Sequence, residues 1–590
     1  MRNIINITLV TISCFFLSCN LEELPPASLN GEDYWTSEDN VKMMSYGFYA
    51  TAFPGVSTSW IFNNNRNNVS YAIINDDLTN ETPRSWETQI PSATSVRTNE
   101  RDVSWSNFYA YVRKANLMIE NVPSVPIDDS RKEYWRGMAK FWRAYMHYIM
   151  LVEYGDIPYI DTLAGPKDYN LIYIPRENRQ AVMYKIKTDI EDALASVDNA
   201  QEEANKTINR NVILALASRM FLFEGTWEKY HEEGSATGYN EFLKFAKDCA
   251  QELMATGTYQ IADNYRDLCS SESLEGNPEM ILYREYFDDG EMTITHSAMT
   301  YASGYEDQKA GPSRSLIESY LCSDGLPIGI SNNYMGDKDM SNFGVNRDPR
   351  MLQTMDDSVA LEGINSSFSN SGIMWNKYRN DKMLGTNEGT GINNVTDIPC
   401  IRYAEVLLNY AEACAELGIL TQADLDLSIN VLRDRASVKL PHLQITGNLP
   451  SVDGSTYDDP ERDPSVPPVT WEIRRERRVE LVEEKNFRYN DLRRWRKLHY
   501  ADQTLNPKSN QGIYINKTDY PKLATNVILS EGDKGYILGC NEANMRKLPG
   551  AAGDAGIIKE YLAPIGYSDI VDYRNRGYEL HQNPGWPESN

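Results

Sequence analysis

Helical periodicity recurs through much of this chain and constrains its fold more than any other feature. Between about 134 and 153, apolar and aromatic residues return at steps of three and four, which is typical of a helix with one buried face. Gly155 and Pro158 follow, and both are typical of a helix end. Similar patterns predict helices near 36–53, 102–121, 178–197, 208–230, 239–256, 402–417, 422–436 and 470–498. The sequence therefore predicts an α-rich protein.

Several predicted helices are neighbours in sequence and are joined by short polar turns. The pairs are 102–121 with 134–153, 178–197 with 208–230, and 402–417 with 422–436. Helix pairs of roughly 34–40 residues are typical of tetratricopeptide-like stacking, although the strict repeat consensus is absent. We therefore expect a degenerate arrangement of helix pairs, wrapped by other segments.

Long stretches between and after these helices lack helical periodicity. Residues 257–396 are dense in Gly, Asn, Ser and Asp, and the part after 500 is also irregular. Loop-rich regions of this length in a compact protein usually carry function. We predict one domain over 35–590, with a helical scaffold over 35–256 and 397–500, a loop-rich binding region over 257–396 and an irregular C-terminal part over 501–590.

The N-terminal segment predicts export and a lipid anchor. Arg2 precedes an apolar run over 4–17, which is shorter than the roughly 20 residues that a membrane-spanning helix needs. Small Ser18 before Cys19 fits a lipobox, in which the thiol carries the lipid. Cys14 fits less well because its apolar run would be too short, and an ordinary secretory peptide is the alternative. The prediction is a signal peptide over 1–18, a lipid on Cys19 and a tether over 19–34, with the membrane reached through that anchor alone.

The charge and the aromatic content limit the kinds of ligand. The formal net charge is −26, which argues against nucleic acid or an anionic membrane as the principal ligand. The chain has 37 Tyr and 11 Trp but only 15 Phe. Tyr and Trp combine a flat apolar face with a polar edge, which suits wet interfaces and stacking on sugar rings. Most of these side chains must still belong to the core.

The cysteines beyond the leader lack the spacing of a metal site, and they leave disulfide pairing open. They are Cys249, Cys269, Cys322, Cys400, Cys414 and Cys540, without CxxC or zinc-finger spacing. An even number in an exported protein permits disulfides, and the sequence does not decide the pairing. Cys249 and Cys414 fall on helical apolar patterns, so we expect both to be buried thiols.

No catalytic motif stands out, so we predict no enzyme, no cofactor and no metal. The chain lacks a GxSxG elbow, an HExxH pair and a P-loop. His147 lies in an aromatic helix and is expected to be packed. Acidic pairs such as Asp76-Asp77, Asp288-Asp289 and Asp356-Asp357 are candidates for a glycosidase, but sequence spacing does not establish the carboxylate separation that this reaction needs. Asp76-Asp77, beside Asn80 and Glu81, is also a candidate for binding calcium, but it lacks EF-hand spacing, and a solvated loop is the favoured interpretation.

The segment 472–496 combines charges three and four residues apart with apolar residues that require a buried face. Val479, Val482 and Trp495 are among those apolar residues. Some charges on this helix should therefore be buried as satisfied ion pairs with a structural role. We expect Glu480→Ala to destabilise the fold by several times as much as the loss of an exposed surface charge.

Several blocks together resemble the SusD/RagB family. The blocks are Tyr34-Trp35-Thr36-Ser37, WSNFYAYVRKAN (105–116), FWRAYMHYIMLVEYGDIPYI (141–160), IRYAEVLLNYAEACAELG (401–418), ERRVELVEEKNFRYNDLRRW (476–495), YLAPI (561–565) and QNPGW (582–586). They span nearly the whole chain in the expected order. The resemblance implies a SusD-like fold, in which tetratricopeptide-like helix pairs support a loop-built binding face.

The same resemblance implies a function. SusD-like proteins are outer-membrane lipoproteins of Bacteroidota that face the cell exterior and cover a SusC-like TonB-dependent transporter. They deliver oligosaccharides, or peptides in RagB-like members. Glu22 and Glu23, just after Cys19, resemble the acidic export signals of such lipoproteins. The partners implied are the transporter and an oligosaccharide ligand.

The resemblance also locates the expected binding residues, in the loop before the Trp105 helix and in the irregular middle. The first region offers Trp60, Tyr71 and Trp86, with Asn75, Asp76 and Asp77 as polar neighbours; the second offers Tyr286, Tyr301, Tyr305 and Tyr334. Such aromatic residues stack on the C–H face of a pyranose, while amides and carboxylates bind its hydroxyls. Trp86 is the first choice among them.

Three other functions remain open at this stage. A RagB-like peptide carrier is the nearest alternative, and acidic loops would favour basic peptides. A surface glycoside hydrolase would need one of the acidic pairs. A purely structural subunit would close the transporter without meeting any nutrient. The sequence does not name the sugar.

Overall fold

Helices form most of the regular structure, as the periodicity predicts. The computed structural model describes residues 34–56, 75–79, 105–165, 167–200, 203–302, 310–366, 368–485, 487–548 and 561–586. The α-helices of these residues are α1 (Glu38–Tyr46), α2 (Tyr49–Ala52), α3 (Trp105–Asn121), α4 (Asp129–Tyr154), α5 (Tyr169–Ile172), α6 (Arg179–Ser196), α7 (Arg210–His231), α8 (Ala236–Ala255), α9 (Asp267–Ser270), α10 (Ala298–Ala302), α11 (Arg314–Ser319), α12 (Arg350–Thr354), α13 (Tyr403–Glu416), α14 (Gln422–Asp426), α15 (Ile429–Arg433), α16 (Pro468–Glu480), α17 (Phe487–Arg494) and α18 (Tyr567–Asn575).

The strands are short and form small antiparallel sheets. They are β1 (Met280–Arg284), β2 (Phe287–Asp288), β3 (Thr293–Ile294), β4 (Ile398–Arg402), β5 (Gln444–Thr446), β6 (Leu449–Val452), β7 (Ser455–Thr456), β8 (Gln511–Asn516), β9 (Ile528–Leu529) and β10 (Lys534–Leu538). Strand β1 pairs with β4 and β2 with β3, while the orders β5-β6-β7 and β8-β10-β9 form three-stranded sheets. The β1–β4 pair joins the loop-rich middle to the start of α13.

Helix α4 shows how the aromatic stripe determines local structure. Trp142 is fully buried, and its indole N–H donates to the Ser45 hydroxyl at 2.8 Å. The helix ends at Gly155, whose φ of 75° suits glycine, and the Gly155 N–H bonds to the Leu151 carbonyl at 2.9 Å. A Cβ at Gly155 would lie 2.9 Å from the Leu562 side chain, so the C-terminal segment packs directly on this helix end.

The helices pack largely in sequence order. α3 packs on α4, α4 on α6, α7 on α8, and α13 contacts both α8 and α16. The predicted pair 178–197 with 208–230 is partly wrong, because α6 packs mainly on α4, and α7 mainly on α8. The largest hydrophobic core includes residues from Trp35 to Leu580, so N-terminal and C-terminal segments share it.

The C-terminal part is more regular than its composition indicates. Residues 511–538 form the sheet β8-β10-β9, and α18 follows near the end of the chain. The description of 501–590 as irregular is therefore only partly right. The middle region contains short helices and strands among long loops, as expected.

The predicted helix over 470–498 is interrupted. Helix α16 ends at Glu480 and α17 begins at Phe487. Between them, Glu483 and Lys485 have positive φ angles of 58° and 50°, which lie outside the range of a right-handed α-helix. The Glu484 carboxylate lies in this break and contacts Lys377 at 2.6 Å and Arg402 at 2.8 Å. These partners are distant in sequence, so periodicity alone does not predict the break.

The six cysteines beyond the leader are free and buried. The prediction that Cys249 and Cys414 are buried thiols is confirmed. Burial raises the pKa of each of these two thiols, so neither has the thiolate character of a reactive cysteine.

Candidate ligand-binding face

Two segments of the loop-rich middle, 287–302 and 380–396, are held together to form a surface that we call the loop face. The first begins with the β2–β3 hairpin, in which Phe287 pairs with Ile294 and Asp288 with Thr293. The Asp289 carboxylate accepts hydrogen bonds from the backbone of Glu291 at 2.9 Å and Met292 at 2.8 Å. These bonds fix the hairpin turn, so Met292 has a defined position at its tip.

Hydrogen bonds join the two segments of the loop face. His296 and Asn394 exchange backbone hydrogen bonds of 3.0 and 2.9 Å. The Thr300 hydroxyl donates to the Gly391 carbonyl at 2.7 Å. The His296 imidazole is fully buried and bonds to the Thr396 carbonyl at 2.7 Å; burial lowers the pKa of His296 to about 4. A neutral His296 therefore acts as a structural link beneath the surface.

Tyr286 supports the loop face from below. Only 3% of this residue is exposed, and its hydroxyl donates to the Val56 carbonyl at 2.6 Å while accepting from the Val56 N–H at 2.8 Å. Its backbone N–H bonds to the Asp397 carboxylate at 3.0 Å. In this structure the ring is packed rather than presented to a ligand.

Three aliphatic side chains stand out from the loop face. Met292 is 55% exposed, and Leu384 and Ile392 are each 52% exposed. Burying apolar surface is favourable, so exposed aliphatic side chains on two loop segments that are hydrogen-bonded to each other indicate a candidate binding surface. These residues were not among the predicted binding residues, because they lack periodic apolar partners. For Ile392 one signal was available, since it is an apolar residue isolated within a run of Gly, Asn and Thr.

The same two segments also carry polar groups. The Asn393 amide contacts the Asn387 side chain at 3.3 Å, so two amides lie side by side on the surface. Hydrogen bonds from its own backbone and from Thr386 lower the pKa of Glu388, and the charge of Asp288 opposes that shift. Asp288 and Glu388 are thus close enough to interact across the two segments. The loop face therefore offers apolar patches, amides and carboxylates together.

The remaining predicted aromatic residues have mixed positions. Tyr301 belongs to α10, at the edge of the loop face. Tyr334 is half-buried, with the Arg347 guanidinium 5.5 Å from its ring centre. Trp60, Tyr71, Trp86, Tyr305 and Cys19 lie outside the described residues.

Asn75, Asp76 and Asp77 are buried, so the solvated loop expected for Asp76-Asp77 is wrong. Arg488 bonds to both Asp76 carboxylate oxygens at 2.7 and 2.8 Å, and Arg478 bonds to Asp77 at 2.7 Å. Burial alone would raise the pKa of Asp76, but the two arginines lower it to about 2. These carboxylates attach the segment to α16 and α17, and no local pattern in the sequence indicates partners so far along the chain.

The remaining described residues offer little sign of other chemistry. No group of three or more His, Cys, Asp and Glu side chains within the described ranges is arranged to hold a metal ion. His147 is fully buried and bonds to the Arg143 carbonyl, and burial lowers its pKa to about 3. It is packed, as predicted. Among the helices that the structure describes, none is long and apolar enough to cross a bilayer.

Comparison with known proteins identifies the family. The model described as the SusD family matches residues 278–586, which is more than half of the chain. The chain belongs to the SusD family. A second model, described as starch-binding proteins associating with the outer membrane, matches residues 39–222. Together these matches include the loop face and most of the helical scaffold.

Individual relatives are similar over almost their whole length. A SusD-like protein of Formosa agariphila is 23% identical over 552 residues, which cover 89% of this chain and 99% of the relative. A SusD-like carbohydrate-binding protein of Bacteroides fragilis has a TM-score of 0.64 at 21% identity, covering 91% of this chain and 98% of its own. A laminarin-binding SusD-like protein has a TM-score of 0.55 at 17% identity, covering 94% and 100%. The SusD-like, α-rich fold is thereby confirmed.

Proposed function

We propose that this protein is a non-catalytic, lipid-anchored outer-membrane lipoprotein that binds oligosaccharides or polysaccharides at the loop face and passes them to a SusC-like TonB-dependent transporter. The observation that supports it most is the set of three exposed aliphatic side chains, Met292, Leu384 and Ile392, among amides and carboxylates. A pyranose has an apolar C–H face and a rim of hydroxyls, and this surface offers partners for both. The domain over 35–590 would present the loop face, and Cys19 would hold it at the membrane.

The relatives support the choice of a glycan. One neighbour with the same fold is a carbohydrate-binding protein, and another binds laminarin. The second family model describes starch-binding proteins of the outer membrane. A glycan array probed with the full-length chain, followed by calorimetry on the best ligand, would test the proposal. The absence of measurable binding to any glycan would contradict it.

Truncating the exposed side chains of the loop face should weaken glycan binding. The triple variant Met292→Ala, Leu384→Ala and Ile392→Ala removes apolar contact area without disturbing a buried group. We expect the affinity to fall by at least about 1 kcal/mol, the level at which interface residues count as significant. Calorimetry with the best array ligand measures this change.

Leu427→Ala is the matched control, because Leu427 is 57% exposed at the end of α14, outside the loop face. It should leave both affinity and stability unchanged. Equal affinities of the triple variant and wild type would remove the loop face from the proposed site.

Trp86→Ala should also weaken binding, by about 1–3 kcal/mol if the indole is a hot spot. Trp86 lies outside the described residues, and the expectation rests on the family resemblance. If calorimetry with the same ligand gives an unchanged affinity, Trp86 is not part of the binding site. That result would not affect the proposed role of the aliphatic residues of the loop face. Combining it with the triple variant would tell whether both contribute to one site.

A peptide ligand is the second candidate, because acidic side chains accompany the loop face. Asp288, Asp289, Glu291 and Glu388 are all exposed there. Their charge would favour Lys-rich or Arg-rich peptides over acidic ones. Pull-down of a mixed peptide pool by the full-length chain would decide between a glycan ligand and a peptide ligand. A glycan carrier should retain none of the peptides, whereas a peptide carrier should retain the basic ones.

A further inference from the structure

A second concave region lies apart from the loop face, between helices of the scaffold. This helix cavity has a volume of about 710 Å³ and is bounded by residues 50–54 and by parts of α3, α4, α7, α16 and α17. It opens to solvent beside Asn107 and Ala110, which are exposed. The volume falls within the range of small-molecule sites.

The walls of the helix cavity are rich in aromatic rings. Its lining includes Phe108, Tyr111, Tyr145, Tyr148, Phe223, Phe487 and Tyr489. Such walls suit a ligand with an apolar face, as a sugar ring has. Tyr145 and Tyr148 lie on α4, one turn apart, so the same aromatic stripe that builds the core also forms one wall.

The lining of the helix cavity is basic, although the whole chain is strongly acidic. Its cations are Lys114, Arg219, Arg477, Lys485, Arg493 and Arg494, and its acids are Glu153 and Asp491. Some of these charges are already paired within the protein. Arg477 and Arg494 contact Asp491 at 2.8 and 2.9 Å, and Arg219 contacts Glu405 at 2.5 Å.

Three cations of the helix cavity form no direct ion pair with a carboxylate of the described residues, although Glu405 and Glu484 act on Lys485 from a distance. Lys485 donates to the Cys400 carbonyl, and Lys114 lies 4.4 Å from the centre of the Tyr111 ring. Arg493 donates only to the carbonyls of Tyr561 and Val152 and, weakly at 3.4 Å, to an amide oxygen. Buried or half-buried cations that lack a direct ion pair attract an anion, because the charge of each is incompletely compensated.

We infer that the helix cavity binds a small acidic saccharide, with an aromatic wall against the sugar ring and Lys114, Lys485 and Arg493 around its carboxylate or sulfate. The pKa of Lys485 supports the inference that the cavity attracts an anion. Burial, and after it the charge of Arg219, lower the pKa of Lys485 to about 8, and the nearby carboxylates of Glu405 and Glu484 offset only part of that shift. The choice of a saccharide as carrier of the anion rests on the proposed function, whereas the preference for an anion rests on the cavity alone.

Calorimetry on the full-length chain with four probes tests this inference. D-glucuronate and D-glucose 6-sulfate carry the anion on a sugar, D-glucose lacks it, and sodium sulfate lacks the sugar. We expect at least one acidic sugar to bind about tenfold more tightly than glucose and than sulfate, because a hydrogen bond to a charged group contributes that much. Equal binding of glucose and the acidic sugars would overturn the proposal, and so would binding of sulfate alone.

Lysine variants locate the site. Lys114→Met and Lys485→Gln should each weaken binding of the acidic sugar about tenfold. Lys244→Met is the matched control, because Lys244 is an exposed lysine of α8 that does not line the cavity. Unchanged affinity in Lys114→Met, which alters a half-buried helical position and should fold normally, would overturn the proposal.

Two further measurements separate this site from the loop face. Reductive methylation of Lys485, followed by mass spectrometry, should be slowed by the acidic sugar while that of Lys244 is not; equal rates with and without the sugar would overturn the proposal. The triple loop-face variant should bind the acidic sugar as wild type does. If the triple variant loses that binding, the anion site belongs to the loop face and the helix cavity is excluded, independently of whether the loop face binds neutral glycans.

Discussion

Glu480→Ala should lower the free energy of unfolding by about 3–5 kcal/mol, the usual effect of removing one partner from a buried ion pair. The Glu480 carboxylate is fully buried and contacts Arg435 at 2.7 Å, Arg402 at 2.9 Å and Arg350 at 3.0 Å. Without it, a positive charge in the interior loses its compensation. Denaturant unfolding followed by tryptophan fluorescence measures the change.

The size of this effect follows from the balance of the surrounding charges. The buried charge cluster contains the carboxylates of Glu279, Asp348, Glu476, Glu480 and Glu484 and the cations Arg350, Lys377, Arg402, Arg433 and Arg435. Five negative charges balance five positive ones. The variant leaves four against five, in a place that water does not reach.

Asp248→Ala is the control for a surface charge. Asp248 lies on α8, where it pairs with Lys244 one turn away, and both side chains are substantially exposed. Exposed pairs of this kind contribute at most about 1 kcal/mol. If Glu480→Ala costs no more stability than Asp248→Ala, the charge cluster has no special structural role.

Acid titration gives a second test of the same carboxylate. Burial alone would raise the pKa of Glu480, but Arg435, Arg402 and Arg350 hold it well below its usual range. A depressed pKa contributes stability that is present above the unfolded-state value, near 4.3, and is lost as the pH falls toward the folded-state value. The difference between wild type and Glu480→Ala should therefore be constant from pH 7 to about 5 and narrow below about pH 4.

The helical scaffold could be predicted because its information is local. In α4, residues three and four apart share a buried face, and Gly155 determines the end of the helix. The predicted burial of charges on α16 is confirmed for the same reason, since Val479 requires that face to be inside. Periodicity does not show which distant residues a buried charged side chain contacts. The break between α16 and α17 depends on Arg402 and Lys377, which lie roughly 80 and 110 residues away.

The candidate site was only partly predictable, because side-chain exposure in loops depends on distant contacts. Tyr286 is an aromatic residue in the loop-rich region, as expected for a ring that stacks on a ligand. Its hydroxyl nevertheless bonds to Val56, which is 230 residues away. Asp76 appears solvated in sequence, yet Arg488 binds it from 412 residues away. Conversely, Met292 looks like an ordinary apolar residue, and only the hairpin turn shows that it is exposed.

Cys19→Ala should abolish attachment to the outer membrane, the largest effect expected for any single substitution outside the core. Each buried CH₂ of an acyl chain contributes about 0.8 kcal/mol, so a lipidated thiol holds the protein firmly only when more than one chain is attached. The variant should appear in the soluble fraction and incorporate no fed palmitate. Retention in the membrane fraction would mean that another feature holds the protein there.

Cys14→Ala provides the matched control, because it changes the other cysteine of the same leader, five residues earlier. Lipidation and attachment should be unchanged, since a lipobox uses only the thiol that follows the cleavage site. If Cys14→Ala loses palmitate labelling and Cys19→Ala keeps it, the leader is cleaved before Cys14 rather than before Cys19. Labelling of both variants would show that the lipid is not attached at one thiol, and the proposed tether over 19–34 would then have no anchor point.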